Sequence, residues 1–290
     1  MFGDIGQEAI GWLLIDEAGQ ANPQYAAGAI WRARRVVAVG DPLQLEPVVA
    51  IPEKAQRGIA NSYGITATWI PPQASVQTLV DRVTAFGTTL DQGEKEVWVS
   101  APLRVHRRCD DPMFTLCNQI AYNGIMVNGV HRELDDPDKP DRFDSPTAPL
   151  IAPSHWADEP AGSPGSHLQP NQIGRLQRAL AYLKDQDIEA SDVIAISPFR
   201  AVADQLRSLI PKNPGLRAGT IHTAQGREAP VVILVLGGDP DKPGAPANWA
   251  KTPNLVNVAA SRAQRRLYVI GDRKFWATHK YFRDLSSALR

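Results

Sequence analysis

Five short apolar runs punctuate the chain, and each ends in turn-forming or polar residues. Trp12-Leu13-Leu14-Ile15 ends in Asp16-Glu17, and Val36-Val37-Ala38-Val39 ends in Gly40-Asp41-Pro42. Val193-Ile194-Ala195-Ile196 ends in Ser197-Pro198, residues 231–236 end in Gly237-Gly238, and residues 267–270 end in Gly271-Asp272. Continuous apolar runs of this length predict strands buried on both faces, and so a parallel sheet. Helix-compatible stretches at 24–34, 199–210 and 255–264 lie between them. The alternation predicts an α/β fold, in which ligands sit beyond the carboxyl ends of the strands.

Two stretches break the pattern. Residues 51–75, with Pro52, Pro71 and Pro72, read as an insertion. Residues 135–170, rich in Pro, Asp, Ser and Gly, read as a long surface excursion with a strand near Leu150-Ile151. The best boundary falls near Ser100, between Val97-Trp98-Val99 and the basic cluster Arg104–Arg108, which gives domains 1–99 and 100–290.

Composition then removes several classes. Hydrophobic residues make up 43% of the chain, enough for a core, yet no run approaches the roughly 20 apolar residues that span a membrane. The start, Met1-Phe2-Gly3-Asp4, carries no signal-peptide pattern, so a cytoplasmic, membrane-free protein is expected. Lysine plus arginine equals aspartate plus glutamate, 31 against 31, so net charge gives no support to nucleic-acid binding. Cys109 and Cys117 suggest neither a disulfide framework nor a zinc site, and read as buried or idle thiols.

The candidate chemistry lies at the strand ends. Adjacent carboxylates at the end of a buried strand, Asp16 and Glu17, are costly unless something uses them. A magnesium–nucleotide complex would, with Asp16 on the Mg²⁺ shell and Glu17 polarising the attacking water. The plainer alternative is an acidic strand-to-helix turn. Gln44, after Gly40-Asp41-Pro42, is able to report nucleotide state through a phosphate oxygen or water, against a plain turn. Residues 219–228 are dense in hydrogen-bonding side chains around Gly226, against a polar loop with a turn glycine. Arg262, within Asn257-Val258-Ala259-Ala260-Ser261-Arg262, offers a planar guanidinium suited to phosphate, against an exposed basic helix end. For Arg265 and Arg266 the exposed helix end is the preferred reading.

The order and spacing of these segments say more than any one of them. Asp16-Glu17-Ala18-x-Gln20, then Gly40-Asp41-Pro42-x-Gln44-Leu45-x-Pro47, then Gln225-Gly226-Arg227-Glu228, then Asn257-Val258-Ala259-x-Ser261-Arg262-Ala263 closely resembles superfamily I helicases. The resemblance is nearest the branch that contains the nonsense-mediated-decay RNA helicase and related DNA helicases. It implies RecA-like, P-loop NTPase domains with ATP between them and single-stranded DNA or RNA across them. It also implies Asp16 and Glu17 as Mg²⁺ and water residues, Gln44 as γ-phosphate sensor and Arg262 as arginine finger. Gln20 is implied near the nucleotide, and Gln225, Gly226 and Glu228 in the loop that couples nucleotide to strand. Pro198, Phe199, His222 and Thr223 sit where the family touches nucleic acid. Arg108 matches the arginine of a Tyr-Arg-Met-His-like segment. Arg107, Cys109 and Asp110 depart from that segment, so Arg107 stands as the alternative.

One departure has a physical consequence. The 290 residues contain no Gly-x-x-x-x-Gly-Lys-Ser/Thr and no Gly-Lys pair. That loop supplies the N–H cradle and lysine for the phosphates. The expectation is one partial and one complete RecA-like domain, with the missing N-terminal half of the motor as a partner. Such a chain is expected to be inactive alone, and a non-catalytic nucleic-acid-binding or scaffold module is the competing reading.

Overall fold

The computed structural model describes residues 5–71, 73–91, 96–132, 141–144, 151–224, 226–242 and 244–289. The chain divides into two compact units, Met1–Leu103 and Arg104–Arg290.

In the first unit, β1 (Ile10–Ile15) pairs in parallel with β2 (Ala33–Ala38) across helix α1 (Pro23–Trp31), whose first turn opens on a proline. Helix α2 (Glu53–Ser62) occupies the region read from sequence as an insertion. Helix α3 (Val76–Val83) opens on a reciprocal cap: Ser75 Oγ accepts from the Thr78 N–H, and Thr78 Oγ1 accepts from the Ser75 N–H. An antiparallel pair follows, β3 (Thr88–Asp91) with β4 (Glu96–Val99).

The predicted burial fails here. Trp12, Leu14 and Val37 are exposed, Leu14 by 74%. The β1–β2 register sets Trp12 beside Arg35 and Leu14 beside Val37, so these side chains share one face. Among the described residues this sheet has two strands, and that face has no cover.

The second unit starts with a short parallel pair, β5 (Val105–His106) and β6 (Val127–Asn128), around helix α4 (Met113–Ile120). Then come β7 (His155–Asp158), α5 (Pro170–Asp185), β8 (Val193–Ser197), α6 (Arg200–Arg207), β9 (Arg217–Thr220) and β10 (Ala229–Val235). The chain continues through α7 (Gly244–Ala250), α8 (Asn254–Arg262), β11 (Ala263–Gly271), α9 (Arg273–Trp276) and α10 (Lys280–Ala288). Five strands form one wholly parallel sheet in the order β7-β11-β10-β8-β9. Helices α5 and α8 both pack against β10 and β11, and α6 packs against β8 and β9. Here the apolar runs are buried as the pattern requires: all of β8, and every residue of β10 except Pro230.

The stretch 135–170 is more than a surface excursion. Ile151 is buried in irregular chain, Leu150 lies outside the described residues, and the strand falls at His155–Asp158. The short run His155-Trp156-Ala157-Asp158 has too few apolar residues to announce a strand. It becomes one by pairing with β11, with Trp156 buried and its Nε1–H donated to the Gly271 carbonyl at 2.9 Å.

No helix among the described residues is long and apolar enough to cross a membrane.

Candidate functional site

In the first unit, the turns that leave β1 and β2 lie against each other. The ladder runs on past the strands, with the Val39 N–H donated to the Ile15 carbonyl and the Ala18 N–H to the Val39 carbonyl. A Cβ on Gly40 would stand 2.4 Å from the Gly19 nitrogen, and one on Gly19 would stand 2.6 Å from the Asp41 carbonyl oxygen. Only glycine permits that approach. Helix α3 holds the first turn from below: the Gln77 N–H is donated to the Ala18 carbonyl and the Val76 N–H to the Ala21 carbonyl.

Asp16, Glu17, Gln20 and Gln44 stand on these two turns. Glu17 takes a left-handed backbone, φ 51°, which is uncommon for a side chain of its size. Asp16 Oδ1 accepts from the Glu17 N–H at 2.8 Å, and Gln20 Nε2 donates to Glu17 Oε2 at 2.6 Å. Gln44 Nε2 donates to Asp41 Oδ2 at 3.0 Å, while Asp41 Oδ1 accepts from the Leu43 N–H at 2.8 Å. Both Asp16 and Glu17 are exposed. The premise of two carboxylates forced into a buried strand end is therefore corrected, because the uncovered sheet leaves them hydrated.

The fit to Mg²⁺ follows from the donors. Among the described residues no group of three or more His, Cys, Asp and Glu side chains gathers as a metal cage. A hard cation at Asp16 would rest on one or two carboxylates, with phosphate and water filling its shell. That is the usual magnesium arrangement beside a nucleotide, so the residues present fit it.

Sequence reading passed over a buried polar anchor behind this site. Asp81 Oδ1 accepts from Gln77 Nε2, the Ser100 N–H and the Ser100 hydroxyl, and the Trp98 indole N–H is donated to the Asp81 carbonyl. It ties the end of β4 to the helix that pins the Asp16-Glu17 turn. The available signal was a Gln and an Asp four apart within an apolar helical stretch.

In the second unit, two predicted residues meet. Arg108 Nε forms an ion pair with Glu228 Oε2 at 2.5 Å, while Arg107 is exposed. The other oxygen, Glu228 Oε1, accepts from Gln264 Nε2 at 2.9 Å. Gly226 adopts φ +69°, a turn conformation that favours glycine, with open space where a Cβ would stand. Gln225 lies outside the described residues.

Arg262 ends α8 with 2% exposure, buried as that helix packs against α4, β10 and β11. It is not an exposed helix end. Asn257, on the same helix, donates to the Tyr122 hydroxyl at 3.0 Å.

The reading of Arg265 and Arg266 as an exposed helix end is overturned. Both lie in β11 and are largely buried. Arg265 ion-pairs with Asp110 Oδ2 at 2.7 Å and Asp144 Oδ2 at 2.7 Å, and also reaches Asp141. Arg266 donates to the Phe143 carbonyl at 2.5 Å and reaches Asp144 Oδ1 at 3.1 Å. Both guanidinium groups lie over the Phe143 ring, at 5.0 and 5.4 Å. Burial pushes the Asp144 carboxyl up, but its bonds to Arg265 and Arg266 outweigh that and hold it below its usual value. A helix pattern that ran on to Gln264 hid the start of the strand.

Pro198 and Phe199, expected at nucleic acid, are buried at the exit of β8. The Phe199 ring is stacked on His167, centroids 3.9 Å apart and nearly coplanar at 7°. His222 is exposed near Trp249, ring centroids 6.3 Å apart, and the Thr223 side chain lies outside the described residues. Neither cysteine is in a disulfide and both are buried; burial pushes the Cys109 thiol up to about 12, so it stays protonated.

A family model described as an AAA domain matches residues 83–274, and a second, also described as an AAA domain, matches residues 5–51. Among curated proteins, the chain is 22% identical over 275 residues to a Regulator of nonsense transcripts 1 homolog from Arabidopsis thaliana, covering 90% of this chain and 20% of that protein. It is 29% identical over 284 residues to DNA-binding protein SMUBP-2 from Mesocricetus auratus, covering 94% of this chain and 26% of that protein. A solved structure of Arterivirus nonstructural protein 10, a helicase, with DNA aligns at 18% identity and a TM-score of 0.41, covering 92% of this chain and 40% of that one. The chain thus spans about a fifth to a quarter of the length of the curated relatives it matches. The chain belongs to the AAA domain family, and within it is similar to the superfamily I regulators of nonsense transcripts.

Proposed function

We propose that these residues are part of an ATP-dependent helicase or translocase that couples ATP hydrolysis to movement on single-stranded nucleic acid. The observation that carries this reading is the pair of touching turns at the carboxyl ends of β1 and β2. They bring an Asp-Glu pair and a glutamine to one edge of a parallel sheet, where such folds bind ligands.

In this reading Asp16 holds the magnesium shell and Glu17 orients the attacking water. Magnesium, when bound, neutralises charge on the phosphates. Gln44 senses the γ-phosphate, with Asp41 fixing its amide. Gln20 restrains the Glu17 carboxylate through their hydrogen bond. Arg262 supplies the guanidinium that stabilises charge during transfer, with Arg108 as a further cation. Gln225, Gly226 and Glu228 couple nucleotide state to the strand. His222 and Thr223 contact the nucleic acid, while buried Pro198 and Phe199 shape that surface from beneath. The domains are taken as 1–99 and 100–290, and the location as the cytoplasm.

The 290 residues contain no Gly-x-x-x-x-Gly-Lys-Ser/Thr pattern, so in this reading the cradle for the phosphates is supplied from outside them. Alone, they are expected to turn over ATP negligibly. Robust turnover by the purified chain, abolished by Glu17→Gln, would overturn that. In full-length protein that supplies the loop, Arg262→Ala is expected to lower turnover by roughly 10³-fold or more while strand binding stays within about twofold. Unchanged turnover removes Arg262 from the reaction.

The burial of Arg262 favours a second reading, a non-catalytic nucleic-acid-binding or scaffold module. It predicts strand binding with no ATP turnover in the full-length protein and no effect of Arg262→Ala or Glu17→Gln on binding.

A further inference from the structure

Arg132 belongs to none of the motifs, yet its guanidinium joins two separate stretches of chain. Its Nε lies 3.0 Å from Asp110 Oδ1, and its Nη2 donates to the Arg108 carbonyl at 2.9 Å and to the Gln264 carbonyl at 3.4 Å. The same two stretches are stitched by the Asp110 N–H, donated to the Gln264 carbonyl at 2.9 Å, and by Arg265 beside Asp110 Oδ2. Arg108 and Gln264 are also the residues whose side chains grip Glu228, one on each carboxylate oxygen.

The Arg108–Glu228 pair is partly exposed, 38% and 43% at the two side chains. Exposed ion pairs hold their geometry weakly by themselves. The backbones beneath must therefore set the fork, and Arg132 is the side chain that bonds to both. A planar guanidinium with several fixed donors suits two carbonyls and a carboxylate, whereas a lysine ammonium is a single flexible point of charge.

We propose that Arg132 is a positioning residue: it fixes Arg108 and Gln264 relative to each other, so that Glu228 is held between them and Arg108 is aimed for its part in ATP turnover. The role in turnover rests on the motor reading above, and the positioning itself does not.

Two measurements separate the two. In the 290-residue chain, the ¹⁵N resonance of Arg108 Nε, assigned by its loss in Arg108→Lys, reports the ion pair. Arg132→Ala and Arg132→Lys are expected to move it toward its position in Glu228→Gln, while far-UV circular dichroism stays unchanged. An unmoved Arg108 resonance in a folded Arg132→Lys chain overturns the positioning. In full-length protein, Arg132→Ala is expected to lower kcat roughly tenfold to a hundredfold with KM for ATP within about twofold, and Arg132→Lys is expected not to rescue. In an Arg108→Ala background the same substitution is expected to add less than about twofold, since both act through one group. Losses that multiply overturn the coupling to Arg108. Full-length protein that turns over no ATP at all sinks the motor reading, and the resonance then decides the positioning alone.

Discussion

Strands β1 and β10 look alike as sequence and end in opposite surroundings. Each is an apolar run closed by turn residues, yet Leu14 of β1 is 74% exposed while Val231 to Val235 of β10 are fully buried. The central place of β10 explains it: strands flank it on both sides, and α5 and α8 pack against it. Among the described residues β1 has one strand partner, and Trp12, Leu14 and Val37 share an uncovered face. An apolar run reports a capacity for burial, and neighbours decide whether it is used.

The sharpest way to break this contrast is to truncate a side chain in each strand. Ile233→Ala is expected to destabilise the second unit by about 4 kcal/mol through cavity formation. Leu14→Ala is expected to stay within about 0.5 kcal/mol, because the side chain is mostly exposed. Urea unfolding of the chain reads both, and a comparable loss at Leu14 would mean that its face is covered.

Next in size is the arginine network of β11, which has no counterpart on β2. There Arg34 and Arg35 are exposed, and Arg35 lies over the Trp12 ring at 5.0 Å. Arg265→Ala takes one arginine from each of Asp110, Asp141 and Asp144, although Asp110 keeps Arg132 and Asp144 keeps Arg266, and is expected to cost about 3 kcal/mol, read as a lowered urea midpoint. Arg35→Ala is expected to stay within about 0.5 kcal/mol. The pairing also sets a pH window. The folded-state value of Asp144 is depressed, so its contribution is present above the ordinary carboxylate value near 4 and is lost as pH falls through the depressed one.

A smaller effect is expected at the touching turns. Gly40→Ala places a methyl against the backbone of Ala18 and Gly19 and is expected to cost about 2 kcal/mol. Gly58→Ala, inside α2 with nothing within 4 Å of its Cβ position, is expected to stabilise by about 0.5 kcal/mol. Equal effects at the two glycines would mean that the turns do not meet.

The smallest expected effect is a pH dependence confined to one unit. All six histidines lie after Leu103. Burial lowers the values of His106 and His167; charge from Arg108 adds to the shift at His106, and Glu228 and Asp239 partly offset it at His106 and His167. With folded values below the unfolded one, the unfolded chain takes up protons first. Stability is then full above about pH 6.5 and declines as pH falls below it. Hydrogen exchange at pH 7.5 and 5.5 is expected to show the second unit loosening while the first does not change, and the reverse pattern would refute the assignment.

What the sequence determined by itself was local. Apolar run length and the turn residues closing each run placed the strands, since those features depend on a few adjacent residues. The same adjacency put Asp16, Glu17 and Gln44 at strand exits, and motif order pointed to the family. Tertiary structure alone decided cover and partnership. The exposure of β1, the burial of Arg262, the strand at His155–Asp158 and the Arg108–Glu228 pair each depend on residues distant in the chain. Arg132 is the plainest instance: an unremarked arginine in sequence, it acquires its role only because Arg108 and Gln264, 156 residues apart in numbering, present their carbonyls to one guanidinium. Spacing along a chain carries no record of such a meeting, which only the packing of sheet and helices creates.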